Sequence, residues 1–337
     1  MNLERMFENN PLCRMLGIRY PILQAGMYQV AYGRLAAAVS AAGGLGMIGS
    51  AYMEPEQLRQ EIRHVRQHTD RPFGVDILFA RVEGTDQLTA GYTEQVQAHI
   101  EVTFEERVPV LVSGLGNPKD IVPRAHDAGM TVMSVVGNVK QAVRLSSDGV
   151  DAIIASGCDG GGHVGRVGTV ALVPAVVDAV KVPVVAAGGL VDGRGLVAAL
   201  AFGACGVWMG TRFITTVEAR GHDNYKNKIV EIDEEGTVIS RAHSGKTNRM
   251  IRNKFTASWE GRESEILPYP HQLRKVGEPA SYRGRIEGDV ENGVLPSGQG
   301  AALIHEIKRA GDVVSDIMQQ AYEIIGRWDA PLQAVRA

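Results

Sequence analysis

Val150-Asp-Ala-Ile-Ile-Ala155-Ser-Gly-Cys-Asp-Gly-Gly-Gly-His163-Val-Gly-Arg-Val-Gly168 joins an apolar run to six glycines that surround one imidazole. Glycine loses more backbone entropy on folding than any other residue, so this density needs a compensating gain. Close approach of the backbone to a flat or anionic ligand supplies one, with His163 aimed at whatever is bound. A mobile surface loop with an incidental histidine is the alternative, and the flanking chain decides between them.

Outward from this stretch, short apolar β-branched runs alternate with helix-period segments over the first two thirds of the chain, the pattern of βαβ units and a parallel sheet. Eight runs are found, at 20–25, 45–49, 73–78, 108–112, 131–135, 150–155, 182–187 and 203–208. Between them Pro55 opens a helical pattern with Leu58, Ile62 and Val65 on one face, and Val96, Ile100 and Phe104 repeat it. Val173, Val176, Val177 and Val180 do the same, whereas Pro123 is tolerated only in the first turn of a helix.

Eight strands with alternating helices are the count that closes a TIM (β/α)₈ barrel, with a doubly wound open sheet as the competing arrangement. The positions of the glycines favour the barrel. Ala187-Gly-Gly-Leu-Val-Asp-Gly193 and Met209-Gly-Thr-Arg-Phe213 follow the seventh and eighth strands, where barrels commonly hold phosphate on bare backbone N–H groups.

After Phe213 the alternation stops. Residues 214–296 are more polar and carry a basic patch of Arg241, Lys246, Arg249, Arg252 and Lys254, read either as a solvated face or as the contact for the anionic part of a cofactor or substrate. From 297 to 337 a helical stripe of Leu303, Ile307, Ala310, Val314, Ile317, Ala321 and Ile325 is expected to return to the barrel. The organisation expected is therefore a barrel over 1–213, a smaller, mostly helical lid domain over 214–296 and a C-terminal helix over 297–337.

Bulk properties exclude several classes of function. The 337 residues are 45% hydrophobic, enough for a large core, and a formal charge of −3 gives no reason to expect nucleic acid. No apolar run approaches the roughly 20 residues that span a bilayer. The N-terminus has no signal-peptide core. Three distant cysteines, Cys13, Cys158 and Cys205, fit a reducing cytoplasm better than a disulfide framework.

His163 follows the sixth strand and so joins the same mouth as the phosphate loops. It is a candidate for moving a proton or for holding an oxyanion. No His-x₃-His or Cys-x₂-Cys spacing supports a metal, and Asp159 with His163 makes only a lone pair of donors. Cys158, without an activating base nearby in sequence, reads as a small buried hydrophobe. Ala25, Gly26 and Met27 after the first strand leave room for a planar ring. Asp76, inside an otherwise apolar run, must be paired or near the mouth.

Together Gln24-Ala-Gly-Met27, Phe73-Gly-Val-Asp76, Ala155-Ser-Gly-Cys-Asp-Gly-Gly-Gly-His-Val-Gly165, Ala186-Ala-Gly-Gly189 and Trp208-Met-Gly-Thr211 resemble the nitronate monooxygenase (2-nitropropane dioxygenase) family. Its relatives include FMN-dependent NADH:quinone reductases and FMN-type enoyl-acyl-carrier-protein reductases. The likeness continues into Ser244-Gly-Lys-Thr-Asn-Arg249 and Gln299-Gly-Ala301.

The resemblance implies an FMN-binding barrel acting on a small molecule with O2. His163 would act as base or substrate-positioning residue. The FMN contacts would come from Ala25, Gly26, Met27, Asp76, Ser156, Gly161, Gly162, Gly188, Gly189, Trp208, Met209, Gly210 and Thr211. Three positions depart from the family's pattern. Asp76 stands where Asn is usual, offering acceptors only when ionised. Ser156 replaces a longer glutamine, and Asp159-Gly-Gly-Gly-His163 replaces Glu-Ala-Gly-Gly-His.

The leading expectation is oxidation of a small carbon acid or its anion, such as a nitronate. The alternatives are an NAD(P)H-dependent reductase of quinones or enoyl thioesters, and a flavin-binding protein without turnover. A barrel acting on sugar phosphates would use the same phosphate loops. No Gly-x-Gly-x-x-Gly motif follows a strand in the context of a dinucleotide fold, so NAD(P)H would have to meet the basic patch. A homo-oligomer is compatible with the sequence.

Overall fold

A computed structural model describes residues 6–79 and 93–336 of the chain. Its strands, in chain order, begin with β1 (Ile22–Gln24), β2 (Gly46–Gly49), β3 (Phe73–Phe79), β4 (Val110–Gly116), β5 (Thr131–Val136) and β6 (Ala152–Ser156). They continue with the two-residue β7 (Gly162–His163), β8 (Val184–Ala187), β9 (Gly206–Met209), β10 (Thr237–Ser240) and β11 (Asn248–Ile251). Apart from β7, β10 and β11, they form one parallel sheet in the order β1-β9-β8-β6-β5-β4-β3-β2. A Leu23–Leu45 bridge brings its two ends together, giving a nearly closed TIM barrel rather than an open doubly wound sheet. Each of the eight apolar runs overlaps one of these strands, because parallel strands buried on both faces read as continuous hydrophobic segments.

The seam between β1 and β2 is closed partly by a side chain. Past the Leu23–Leu45 bridge, the buried Gln24 carboxamide accepts from Met47 N–H (2.9 Å) and donates to Met47 carbonyl (3.1 Å). It occupies the rung a backbone pair would fill. Its amide also donates to Ala25 carbonyl, which fixes the turn leaving β1.

The helix Pro55–His68 buries Leu58, Ile62 and Val65, the face its spacing predicts. Pro123 falls in the first turn of Val122–Asp127, where its missing N–H has no intrahelical partner to lose. The C-terminal helix starts later than the stripe suggests, at Ala310. Residues 304–308 run extended because the backbone around Lys308 pairs with 215–217, and Leu303 is exposed in a 3₁₀ turn. Glu218 then accepts from Ala310 N–H (2.8 Å) at the helix start. This helix packs on Gly193–Ala201 and Gly33–Ala41, with Gln320 accepting from Gly193 N–H (2.7 Å).

Residues 214–296 hold the helices Asp223–Glu231, Lys254–Ala257 and Glu278–Arg285 and the antiparallel pair β10–β11. β11 also pairs with β7, setting Asn248 opposite His163 and Arg249 opposite Gly162. The glycine loop is therefore the third strand of a small sheet and not a free surface loop. Among the described residues no helix is long and apolar enough to cross a membrane.

Candidate active site at the barrel mouth

A cavity of about 280 Å³ lies where the barrel strands end. Its walls include Ala25, Gly26, Met27, Asp76, Ser156, Gly161, Gly162, His163, Gly188, Gly189, Trp208, Gly210 and Thr211. Met209 is the exception among the candidates: its side chain is buried in the core, and its carbonyl accepts from Ala25 N–H (2.9 Å) to hold β1 against β9. Alternation along β9 places Trp208 on the cavity side and Met209 away from it.

One end of the cavity is made of backbone. Gly188 and Gly189 adopt φ of 106° and 71°, left-handed conformations that turn the chain sharply out of β8. Among the described residues, no acceptor takes the backbone N–H of Gly188, Gly189, Gly210 or Thr211. These four residues are half-buried at one wall of the cavity, and a cluster of unpaired backbone donors there suits an anion. Segment 296–300 closes this end, with Gly298 N–H donating to Thr211 Oγ1 (2.9 Å) and Gln299 N–H to Asp159 carbonyl (2.9 Å).

Asp76 lies on the cavity floor between two glycines. A Cβ on Gly26 would stand 2.3 Å from Asp76 Cβ, and one on Gly114 2.4 Å from Asp76 Oδ1. Burial pushes its carboxyl well above the usual range, outweighing a hydrogen bond from Gly114, and Oδ1 has no partner. The sequence suggested an acceptor-only group. Burial instead favours the protonated acid, which would offer a donor as well as an acceptor, as an asparagine carboxamide does.

This environment sets a pH dependence. At pH well below the unfolded value of about 3.9 the carboxyl is protonated in both states; as pH rises through that value, the unfolded chain releases a proton that the folded state retains, and stability falls. Asp76→Asn removes that loss. Its Tm should match wild type below pH 4 and exceed it by about 2–6 °C at pH 8. A difference independent of pH in thermal melts of the two apoproteins would count against the neutral carboxyl.

His163 opens onto the cavity, where its side chain is exposed within a shell of surrounding protein. Burial first, then the charges of Lys246 and Arg285, bring its pKa down to about 4, so the imidazole is neutral at pH 7. Ser244 Oγ lies 2.7 Å from Nε2 and also accepts from Lys246 N–H (3.3 Å). The His243 ring is 5.8 Å from that of His163, centroid to centroid. Asp159 is occupied elsewhere, accepting from Thr169 N–H (2.6 Å), and among the described residues no cluster of three donors could hold a metal.

The basic patch does not act as a unit. Arg249 is buried, donating from Nε to Cys158 carbonyl (2.8 Å) and from Nη1 to Thr237 Oγ1 (3.0 Å), and so it braces the glycine loop. Lys246 Nζ sits 4.0 Å from the Tyr269 ring centroid, and Arg241 Nε donates to Gly245 carbonyl (3.0 Å). Cys158 does not line the cavity.

Sequence reasoning missed the opposite wall, which contains Tyr28, Tyr225, His243, Asn248 and Arg285. The resemblance extending through residues 244–249 was the available signal for Asn248. Nothing comparable marked Arg285, one of several arginines in a polar helix.

A family model described as nitronate monooxygenase matches residues 9–320. The chain belongs to the nitronate monooxygenase family. A probable nitronate monooxygenase of Staphylococcus aureus (strain MSSA476) is 34% identical over 354 aligned residues, covering 95% of this chain and 99% of the relative. Among solved structures, FabK from Thermotoga maritima superposes with a TM-score of 0.86 at 38% identity, covering 95% of this chain and 98% of its own. Nitroalkane oxidase from Streptomyces ansochromogenes gives 0.84 at 28% identity, with 94% and 99% covered. As a family member the chain is an oxidoreductase of the nitronate monooxygenase type.

Proposed function

We propose that the protein is an FMN-dependent oxidoreductase that takes a small carbon acid as its anion, such as a nitronate, with O2 as co-substrate. The observation that carries this reading is a neutral imidazole facing a chamber whose far wall is a cluster of unpaired backbone N–H groups. The FMN phosphate would lie on Gly188, Gly189, Gly210 and Thr211, with the ring along Ala25, Gly26 and Met27 and its polar edge at Asp76. When bound, FMN supplies a ring that accepts electrons from substrate and passes them to O2. In this assignment residues 1–213 and 297–337 form the cofactor barrel and 214–296 the lid domain.

The pKa of His163 selects between its two roles. A base efficient at neutral pH needs a pKa near 7, and an imidazole held near 4 is a poor acceptor for the proton of a nitroalkane. Positioning is the better role. Assigning the Ser244 hydroxyl proton to Nε2 rather than to Lys246 carbonyl (3.5 Å) would leave the ring proton on Nδ1, free to donate to an anionic oxygen.

A second reading has its own support. A groove of about 870 Å³ shares Gly114, Val135, Ser156 and His163 with the chamber and carries Lys119, Arg144, Arg166, Arg241 and Lys246. Among the described residues only Arg144 has a carboxylate partner, Asp148 at 3.8 Å. A phosphate-bearing co-substrate would fit it, as would an NAD(P)H-dependent reductase of quinones or enoyl thioesters.

Two measurements decide. The purified protein should be yellow with flavin absorption; a colourless protein that gains no colour with added FMN removes the cofactor assignment. In anaerobic mixing, bleaching by ethyl nitronate supports the first reading, and bleaching by NADH alone replaces it with the second.

A further inference from the structure

The roof of the chamber holds a cation that has no carboxylate partner among the described residues. Arg285 ends the helix Glu278–Arg285 and reaches across to the segment after β1, where Nη1 donates to Tyr28 carbonyl (3.1 Å). Its guanidinium carbon lies 5.4 Å from the centroid of the Tyr28 ring. The side chain is 6% exposed, lines the cavity, and its Nε has no acceptor. No carboxylate stands within ion-pair distance among the described residues.

The two carboxyls on the cavity wall do not supply the missing charge. Asp76 lies on the floor, where burial favours its neutral form. Glu278 sits two helical turns from Arg285 and is hydrogen-bonded to the Tyr52 hydroxyl. The neighbouring imidazoles, His163 and His243, are both neutral, partly because Arg285 is beside them. Around the chamber the described charged groups are therefore one guanidinium, Arg285, and one carboxyl, Glu278, at opposite ends of the same helix. A buried charge without a partner is strongly unfavourable, and a guanidinium in this state is a preformed site for a planar anion.

We propose that Arg285 is the anion-recognising residue of the substrate chamber, binding the paired oxygens of a nitronate or carboxylate head group from the side opposite the phosphate wall. The proposal rests on the reading of this cavity as the substrate chamber. The two terminal nitrogens of a guanidinium form a fork that matches two oxygens on one atom, a match a lysine ammonium cannot reproduce. With His163 Nδ1–H as a further donor, the head group would be fixed in orientation, and a neutral analogue would leave the guanidinium unpaired.

The test uses the FMN-loaded full chain and its Arg285→Met and Arg285→Lys variants. Acetate and nitrate are the probes, with acetamide as the neutral control, and binding is read by calorimetry so that no turnover is needed. Arg285→Met should weaken both anions by about 10- to 100-fold. Acetamide should be unchanged, and Arg285→Lys should fall between. Kinetically, KM for ethyl nitronate should rise over the same range with kcat less affected.

Wild-type affinity for both anions in a folded Arg285→Met that retains FMN overturns the proposal. If that variant does not fold, Arg285→Gln takes its place, and acetate must compete with nitronate in wild type; non-competitive inhibition rejects the site. Anion binding that needs Arg285 in a protein that oxidises no nitronate would keep the subsite and reject the reaction. Nitronate oxidation with unchanged KM in Arg285→Met would do the reverse.

Discussion

His163→Ala is expected to lower kcat/KM for a nitronate by about 10²–10³, the usual loss when one donor to a developing or bound oxyanion is removed. FMN content should stay near wild type, because the cofactor contacts proposed here are made by other loops. The neutral state of the imidazole adds a second signature. Since the ring of the free enzyme stays unprotonated down to about pH 4, the kcat/KM profile between pH 5.5 and 8 should show no inflection near 6.5 that disappears in His163→Ala. Such an inflection would restore His163 as an ordinary titrating base. Unchanged steady-state rates in the variant would favour a flavin-binding protein in which the histidine has no part in turnover.

The second large effect concerns Gly161. A Cβ there would lie 2.7 Å from Ser297 C, 2.8 Å from Gly298 N and 2.9 Å from Ser297 Cα, all backbone atoms that cannot swing aside. Gly161→Ala must therefore push segment 296–300 off the glycine loop and strain the bonds Gly298 makes to Thr211 and Gln299 to Asp159. We expect about 2–4 kcal/mol of destabilisation and at least a roughly tenfold loss of FMN affinity, one decade being about 1.4 kcal/mol. Gly162→Ala is the paired control. It meets nothing within 4 Å and bears only the strain of φ 81°, about 1–2 kcal/mol, with cofactor affinity kept. Equal melting points and equal FMN content in the two variants would show that the two loops do not press on one another.

How much of this was legible in the sequence varies with the physics of each part. The eight barrel strands were legible because a strand buried on both faces has no polar alternation to obscure it, as in Ala152-Ile-Ile-Ala155. The glycine turn after β8 was legible because only glycine allows the backbone conformation found at Gly188 and Gly189. Arg249 was misread because charge in sequence does not reveal burial, and its partners, Cys158 and Thr237, are 91 and 12 residues away. Leu303 and Ile307 kept helical spacing by coincidence, since pairing of the Lys308 backbone with 215–217 overrides local periodicity. Arg285 and Tyr225 gave no signal, because the lid side of the chamber is assembled from segments without a repeating pattern. Asp76 was noticed, but its protonation depends on the enclosure made by Gly26 and Gly114, which only the folded chain provides.

Closing β1 against β2 with the Gln24 carboxamide gives the cylinder one stave joint weaker than the other seven. The turns on either side of that joint, Ala25 to Met27 and Gly49 to Tyr52, both border the chamber. Brief parting there would widen the floor without unfolding the wall, and a bound ring lying across it would act as a clasp. In amide hydrogen exchange, Met47 should then be slowed most when the chamber is filled, while the β4 and β5 amides, far round the cylinder, stay unchanged.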